Sequence, residues 1–136
     1  MLKINKRFLI ALLTFTLPFG CVGCSNGGSA DTPATYEQIS GAEAKALMDS
    51  ESGYIIIDAR TQEEYDEGHI PGAILIPEYE IADRAEKELP DKDQLILVYC
   101  RSGRRSKIAA EELVKLGYTN VKEFGGIIDW EYEIVK

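Results

Sequence analysis

Two short runs of consecutive apolar residues constrain the fold of this 136-residue chain more than any other feature. Residues 54–57 are Tyr-Ile-Ile-Ile, and residues 95–99 are Leu-Ile-Leu-Val-Tyr. A strand without polar alternation is typical of a parallel sheet that helices cover on both faces. The two runs therefore predict buried strands of an α/β protein with a mostly parallel sheet.

Segments with helical periodicity alternate with strand patterns along the chain, which predicts helices packed on the faces of the sheet. Ser40 and Thr61 are suitable N-caps for two of the helices, and Gly117 is suited to end a third. Strands are predicted over residues 36–39, 54–57, 73–76, 95–99 and 121–124, and helices over residues 40–49, 62–67, 78–89 and 106–116.

A cysteine follows the second apolar run and begins an arginine-rich segment, Cys100-Arg101-Ser102-Gly103-Arg104-Arg105-Ser106. Asp58 stands in the corresponding position after the first apolar run. Ligands of parallel α/β sheets bind beyond the carboxyl ends of the strands. We therefore expect Asp58 and Cys100 at one edge of the sheet, and the sequence predicts an active site there.

The residues after Cys100 are suited to a thiolate held in an anion-binding loop. Only the thiolate form of cysteine is a good nucleophile, and an ordinary thiol is mostly protonated at neutral pH. Backbone amides of a tight turn at Gly103, the N-terminus of the next helix and the arginine charges would all stabilise the anion. The alternative is an inert cysteine buried at a strand end. The net charge of −8 argues against nucleic-acid binding, so the clustered arginines indicate a local anion site.

Five segments in a fixed order carry a resemblance to a known family. They are Ile57-Asp58-Ala59-Arg60, Glu63-Glu64-Tyr65, Glu67-Gly68-His69-Ile70-Pro71-Gly72-Ala73, the Cys100–Ser106 segment, and Gly125-Gly126-Ile127 with Trp130. Together they resemble a single-domain rhodanese, and the resemblance extends from about Tyr36 to Trp130. It implies a rhodanese-like three-layer α/β fold over residues 35–136, with a five-stranded, mostly parallel sheet flanked by helices.

The resemblance also implies a sulfurtransferase activity. Cys100 would take the sulfane sulfur from a donor such as thiosulfate, become a persulfide, and pass that sulfur to a thiophilic acceptor such as cyanide or a thiol. The partners would be a small-molecule sulfur donor and acceptor, with no cofactor and no metal. Donor binding is assigned in this way to Arg101, Ser102, Gly103, Arg104 and Arg105, and support of the site to Asp58 and Arg60.

Two other polar features are interpreted as structural. His69, the single histidine, lies in a Gly-His-Ile-Pro-Gly turn, and the resemblance makes it a turn-stabilising residue rather than a base. The acidic residues of the 62–67 segment are interpreted as a solvated helix face rather than a metal site. They are Glu63, Glu64, Asp66 and Glu67.

Two alternative functions share parts of this pattern. Cysteine phosphatases and arsenate reductases also hold a thiolate in an anion loop, but the phosphatase families usually have five residues between Cys and Arg and a His before the Cys. Here four residues separate Cys100 from Arg105, and Tyr99 precedes the cysteine. A non-enzymatic rhodanese-like module for binding or redox sensing is the other alternative; family members of that kind often lack the cysteine.

Residues 1–24 have the pattern of a signal peptide that ends in a lipoprotein-type processing site. Basic residues and no acidic ones occur before the apolar run Phe8–Phe19, which is too short to span a bilayer as a helix. Val22-Gly23-Cys24 predicts lipidation of Cys24, with Cys21 or plain cleavage as alternatives. A redox or zinc pair of Cys21 and Cys24 is disfavoured because the chain has no second pair of ligands.

Residues 25–34 are small and polar and are interpreted as a flexible tether. The sequence thus predicts an extracytoplasmic domain that contacts the membrane through its lipid alone. Whether the anchor lies on the periplasmic or the cell-surface side, and the oligomeric state, stay open. If Cys24 is lipidated, Cys21 leaves with the signal peptide and Cys100 is the sole free thiol.

Overall fold

The two apolar runs form neighbouring parallel strands in the centre of the sheet in the computed structural model, which describes residues 35–136. The strands are β1 (Glu37–Gln38), β2 (Ile55–Asp58), β3 (Ala73–Leu75), β4 (Ile96–Cys100) and β5 (Val121–Gly126). The helices are α1 (Gly41–Ser50), α2 (Gln62–Glu67), α3 (Ile81–Glu88) and α4 (Arg104–Lys115), with short 3₁₀ helices at Glu78–Glu80 and Ile127–Asp129.

All five strands are parallel, in the order β1-β5-β4-β2-β3. The predicted α/β class and the five-stranded parallel sheet are therefore confirmed. Parallel pairing brings the carboxyl ends of the strands to one edge, and the loops that follow β2, β3, β4 and β5 all begin there.

Helices cover both faces of the sheet because successive side chains of each strand point to opposite sides. On one face, Ile57 and Val98 pack against apolar residues of α3 and α4, and Cys100 belongs to the same cluster. On the other face, Ile56, Leu97 and Tyr99 pack with Ala44 of α1. Tyr99 and Cys100 are adjacent in sequence but face opposite layers.

Both predicted N-caps are present and form complete capping boxes. Ser40 Oγ accepts from the amide of Glu43 at 3.2 Å, and the Glu43 carboxylate accepts from the amide of Ser40 at 2.8 Å. Thr61 and Glu64 repeat the arrangement at the start of α2. A cap of this kind contributes about 1 kcal/mol to helix stability.

Three elements differ from their predictions by more than one residue at an end or in helix type, and the other bounds differ by one residue at most. α4 begins at Arg104, two residues before the predicted start, because Gly103 takes a left-handed φ of 106° and turns the chain directly after β4. The 78–89 segment begins as a 3₁₀ turn after Pro77 and becomes α-helical only at Ile81. β5 extends to Gly126, and an extra residue shifts its register between Val98 and Cys100 of β4.

The predictions for the N-terminal part lie outside the described residues. They are the signal peptide over residues 1–24, lipidation at Cys24 or Cys21, and the tether over residues 25–34. Within residues 35–136, no helix is both long and apolar enough to cross a membrane.

Candidate active site

Cys100 is the last residue of β4, and its side chain is almost completely buried, with 1% exposure. A loop of three residues, Arg101 to Gly103, joins it to α4. The tight connection folds the loop back over the sulfur, so that the Gly103 amide donates to Cys100 Sγ at 3.0 Å. The thiol therefore lies at the N-terminus of a twelve-residue helix, where the helix dipole favours an anion.

Two opposing effects set the ionisation of this thiol. Burial raises the pKa of Cys100, because a thiolate loses its hydration in the interior. The hydroxyl and amide of Ser106 and the amides of Gly103 and Ser102 lie close enough to the sulfur to lower the pKa again. The hydrogen-bonding groups prevail, and the pKa of Cys100 lies below its ordinary value. The lowered pKa of Cys100 thus has a physical basis in the Ser106 hydroxyl and in the backbone amides of the loop.

The three arginines of the loop have different surroundings. Arg101 and Arg104 are exposed, and within residues 35–136 neither forms an ion pair with an acidic side chain. Arg105 is half-buried and binds Glu64 of α2 through two hydrogen bonds of 2.7 and 2.8 Å. Arg101 and Arg104 are therefore the cations free to meet an incoming anion, whereas the charge of Arg105 is already paired.

The sequence predicted that Glu64 lies on a solvated helix face, and for this residue the prediction is wrong. Its side chain is 25% exposed, and its carboxylate faces Arg105. The hydrogen bonds from Arg105 lower the pKa of Glu64 to about 2. In turn, the Glu64 carboxylate raises the pKa of Arg105. The pair fixes α2 against the start of α4, next to the thiol loop.

Two buried polar residues beside the loop were not predicted as site residues. Ser106 is completely buried on α4, and Glu123 of β5 is 3% exposed. Ser106 Oγ lies 2.6 Å from Glu123 Oε1, which also accepts from the amide of Gly125 at 2.8 Å. The available signal was strand periodicity, because Glu123 lies two residues after the buried Val121 and therefore on the same face of β5.

Gly126 allows the loop to approach β5 closely. A Cβ atom at this position would lie 2.0 Å from the carbonyl oxygen of Arg101 and 2.5 Å from Cα of Ser102. The amide of Ile128 donates to the same Arg101 carbonyl at 3.2 Å. The loop therefore rests directly on the backbone at the end of β5.

Asp58 and Arg60, predicted to support the site, lie on the opposite face of the sheet from the thiol. Asp58 pairs in register with Tyr99, and its carboxylate accepts from the Tyr99 hydroxyl at 2.6 Å. The Arg60 guanidinium donates to Asp58 at 2.7 Å and to the carbonyl of Gly68 at 2.7 Å. Asp58 and Arg60 lie at the predicted edge of the sheet, but their side chains form hydrogen bonds with each other, Tyr99 and Gly68 and not with Cys100.

The Asp58 network secures the turn that contains His69. The Tyr99 hydroxyl accepts from the amide of Ile70 at 3.1 Å, which ties the turn to β4. The His69 ring stacks on Tyr65 with 3.7 Å between ring centroids, and its Nδ1 lies 3.0 Å from the Tyr65 carbonyl oxygen. His69 thus contacts the turn and α2, as expected of a structural residue.

The chain is similar to known proteins over the domain described above. The family model named Rhodanese-like domain matches residues 40–133. Thiosulfate sulfurtransferase PspE of Escherichia coli (strain K12) is 44% identical over 73 residues, which are 54% of this chain and 70% of that protein. Thiosulfate sulfurtransferase GlpE of Coxiella burnetii is 35% identical over 97 residues, with 71% of this chain and 88% of that protein covered.

Solved structures give the same result. A structure titled rhodanese with anions from E. coli has a TM-score of 0.58 and 41% identity, covering 61% of this chain and 98% of its own. A rhodanese-like domain protein from Staphylococcus aureus has a TM-score of 0.63 and 32% identity, covering 71% of this chain and 93% of its own.

Proposed function

The chain belongs to the rhodanese family, and from that premise we propose that it is a sulfurtransferase that carries sulfane sulfur on Cys100. Relatives named thiosulfate sulfurtransferase support this activity for the family. One observation carries the proposal for this chain. The buried Cys100 sulfur accepts a hydrogen bond from the Gly103 amide at the N-terminus of α4, in surroundings that lower its pKa.

In the first half-reaction, the Cys100 thiolate attacks the sulfane sulfur of a donor such as thiosulfate. A new S–S bond forms to Sγ, the S–S bond of the donor breaks, and sulfite leaves with the electron pair. The persulfide that remains has its negative charge on the outer sulfur. The loop amides that stabilise the thiolate are suited to stabilise that charge as well.

In the second half-reaction, an acceptor attacks the outer sulfur of the persulfide. With cyanide, a C–S bond forms, the S–S bond to Sγ breaks, and thiocyanate leaves while the Cys100 thiolate is restored. No proton enters or leaves either half-reaction once the thiol is ionised. A low pKa of Cys100 assists this step, because a thiolate of low basicity is the better leaving group.

Exposed arginines support an anionic donor. Arg101 and Arg104 are exposed at the two ends of the loop, where their charges raise the local concentration of anions. The paired Arg105 contributes mainly by holding the loop against α2. This favours thiosulfate or another small anionic sulfur compound over a neutral donor.

The test is turnover of thiosulfate and cyanide into thiocyanate by the full chain. Cys100→Ser is expected to abolish turnover, whereas the control Cys21→Ser/Cys24→Ser, which keeps Cys100, is expected to retain it. Intact-mass spectrometry after thiosulfate treatment should show one added sulfur, mapped to the Cys100 peptide.

Turnover in Cys100→Ser would overturn the persulfide mechanism. A wild-type protein with neither adduct nor turnover would favour a non-enzymatic binding module, and hydrolysis of phosphate monoesters would favour a phosphatase.

We also propose that the mature protein is anchored outside the cytoplasm by a lipid on Cys24. The support is the sequence alone: a basic start, a short apolar run, and small residues before the cysteine. Metabolic labelling with a fatty-acid analogue is expected to mark the wild type and not Cys24→Ala. Labelling that persists in Cys24→Ala and is lost in Cys21→Ala would move the anchor to Cys21.

A further inference from the structure

Glu123 interrupts an apolar face of the sheet. It lies two residues after Val121 on the same face of β5, and both side chains are buried. Val121 packs in the cluster that contains Cys100, so an apolar side chain at position 123 would extend that cluster. A buried polar group costs free energy unless hydrogen bonds compensate for it. Within residues 35–136, Glu123 forms no ion pair, so its hydrogen bonds best explain its presence.

One oxygen atom of Glu123 joins two segments of the fold. Oε1 accepts from the Ser106 hydroxyl at 2.6 Å and from the Gly125 amide at 2.8 Å. Ser106 is the third residue of α4, and Gly125 is the last but one of β5. The carboxyl group therefore fixes the start of α4 relative to the end of β5.

The thiol loop lies against both of these segments. Gly103, whose amide donates to Cys100 Sγ at 3.0 Å, packs beside Glu123 and Gly125. A Cβ atom built at Gly103 would lie 3.6 Å from Gly125 Cα and 3.9 Å from Glu123 Oε1. The other end of the loop rests on the backbone of Gly126. A shift of the end of β5 away from α4 would therefore displace the loop at both of its ends.

We propose that Glu123 is a positioning residue for sulfur transfer: by joining α4 to β5, it holds the thiol loop in the geometry that directs the Gly103 amide to the Cys100 sulfur. The inference rests on the proposed function in treating Cys100 as the nucleophile. The amide stabilises the attacking thiolate and the thiolate that is restored when the acceptor removes the outer sulfur. Displacement of a catalytic group by about 1 Å can cost roughly 100-fold in rate, so Glu123 affects the rate without touching the substrate.

The first test compares Glu123→Met with Glu123→Gln in the full chain. Methionine has a similar length but lacks the carboxyl oxygen, whereas the amide oxygen of glutamine can accept from both Ser106 and Gly125. We expect Glu123→Met to lower kcat for thiocyanate formation about 10–100-fold. Glu123→Gln should retain most of the wild-type rate. An unchanged kcat in Glu123→Met, or an equal loss in Glu123→Gln, would overturn the proposal.

The second test measures the pH dependence of Cys100 alkylation by iodoacetamide, an uncharged reagent. The modified Cys100 peptide is quantified by mass spectrometry, so Cys21 and Cys24 do not contribute. Glu123→Met and Glu123→Gln both lack the ionisable group, so the difference between them reports the hydrogen bonds alone. Because a lost amide hydrogen bond disfavours the thiolate, the midpoint of Glu123→Met should lie about 1 pH unit above that of Glu123→Gln. An equal or lower midpoint would contradict the inference.

A matched control separates positioning from a general weakening of β5. Val121→Ala changes a buried residue on the same face of the strand, at the end far from the loop. It should lower the melting temperature, because it leaves a cavity, but keep kcat and the alkylation midpoint of the wild type. Assays are run at a temperature at which thermal unfolding shows every variant to be folded. An equal loss of kcat in Val121→Ala would overturn the positioning role.

Two further outcomes are decisive. If Glu123→Met does not fold, Glu123→Leu takes its place, and failure of both to fold would assign Glu123 to stability and overturn the inference. Alkylation reports on the thiol whether or not the protein transfers sulfur. A wild type that forms no thiocyanate, combined with the expected difference in midpoints, would refute the proposed function and leave the positioning role intact. Thiocyanate formation by the wild type without that difference would refute the positioning role alone.

Discussion

Each face of the sheet contains a buried carboxyl group, and the two groups have different partners. Asp58, on the face of α1, binds the Arg60 guanidinium and the Tyr99 hydroxyl and is completely buried. Glu123, on the face of α4, accepts from the Ser106 hydroxyl and the Gly125 amide, and it forms no ion pair within residues 35–136. The first is a closed ion pair that supports the fold, and the second is a hydrogen-bonded carboxyl group that joins α4 to β5 beside the thiol loop. Both carboxylates lie near the active-site edge, and they differ in whether a cation accompanies the buried group.

The largest effect is expected from a substitution that breaks the network of Asp58, Arg60 and Tyr99. Asp58→Ala leaves the Arg60 guanidinium buried without its carboxylate and removes the acceptor of the Tyr99 hydroxyl. Loss of one partner from a buried pair costs about 3–5 kcal/mol, so the free energy of unfolding in denaturant should fall by that amount. The control Asp66→Ala changes an exposed aspartate and should cost far less. Equal losses in both variants would remove the contrast between the two faces.

A smaller effect is expected where the thiol loop meets β5. Gly126→Ala places a methyl group against the Arg101 carbonyl, 2.0 Å away, so the loop must move off the sulfur. A displacement of about 1 Å in a catalytic group can cost roughly 100-fold in rate. We expect a loss of that order in thiocyanate formation. The control is Gly41→Ala, because a Cβ atom there would make only ordinary van der Waals contact with Trp130. Wild-type rates in Gly126→Ala would show that the loop does not need this contact.

The Glu64–Arg105 pair should affect stability in a pH-dependent way. The hydrogen bonds from Arg105 lower the pKa of Glu64 to about 2. The stability that the pair contributes to the fold is therefore fully present above the ordinary carboxyl pKa and disappears as the pH falls through 2. We expect Glu64→Gln, which keeps a capping side chain, to cost about 1–2 kcal/mol at pH 7 after solvent screening. The difference from the wild type should shrink between about pH 5 and pH 2. The control Glu67→Gln, on the same helix but exposed, should show no such trend; a pH-independent difference for Glu64→Gln would contradict the ion-pair argument.

The smallest effect is expected at an exposed arginine. Arg104→Gln should raise the KM for thiosulfate by about 2–5-fold with kcat unchanged, because exposed charges act weakly and are screened by salt. The difference should decrease as ionic strength rises. Lys107→Gln, another exposed cation of α4, is the matched control. Equal changes in both variants would indicate a general surface charge rather than a donor-binding arginine.

Much of this molecule follows from local sequence. The two apolar runs predict the central strands, because only a strand covered on both faces can lack polar alternation. Ser40 and Thr61 identify two helix starts through their capping boxes. The loop from Cys100 to Arg105 predicts a thiolate in an anion site, since a tight turn before a helix supplies amides and a dipole from neighbouring residues.

Tertiary structure decided which of the polar residues meet. Tyr99 and Cys100 are neighbours in sequence, yet the pleat of β4 points their side chains to opposite faces. Tyr99 contacts Asp58, and Cys100 packs on the face covered by α4. The pairing of strands that are far apart in sequence sets the register, and no local pattern encodes it. For the same reason, Glu64 meets Arg105 across 41 residues, and Glu123 meets Ser106 across 17. The sequence determined the sheet and its nucleophile, and long-range register determined which charges surround the nucleophile.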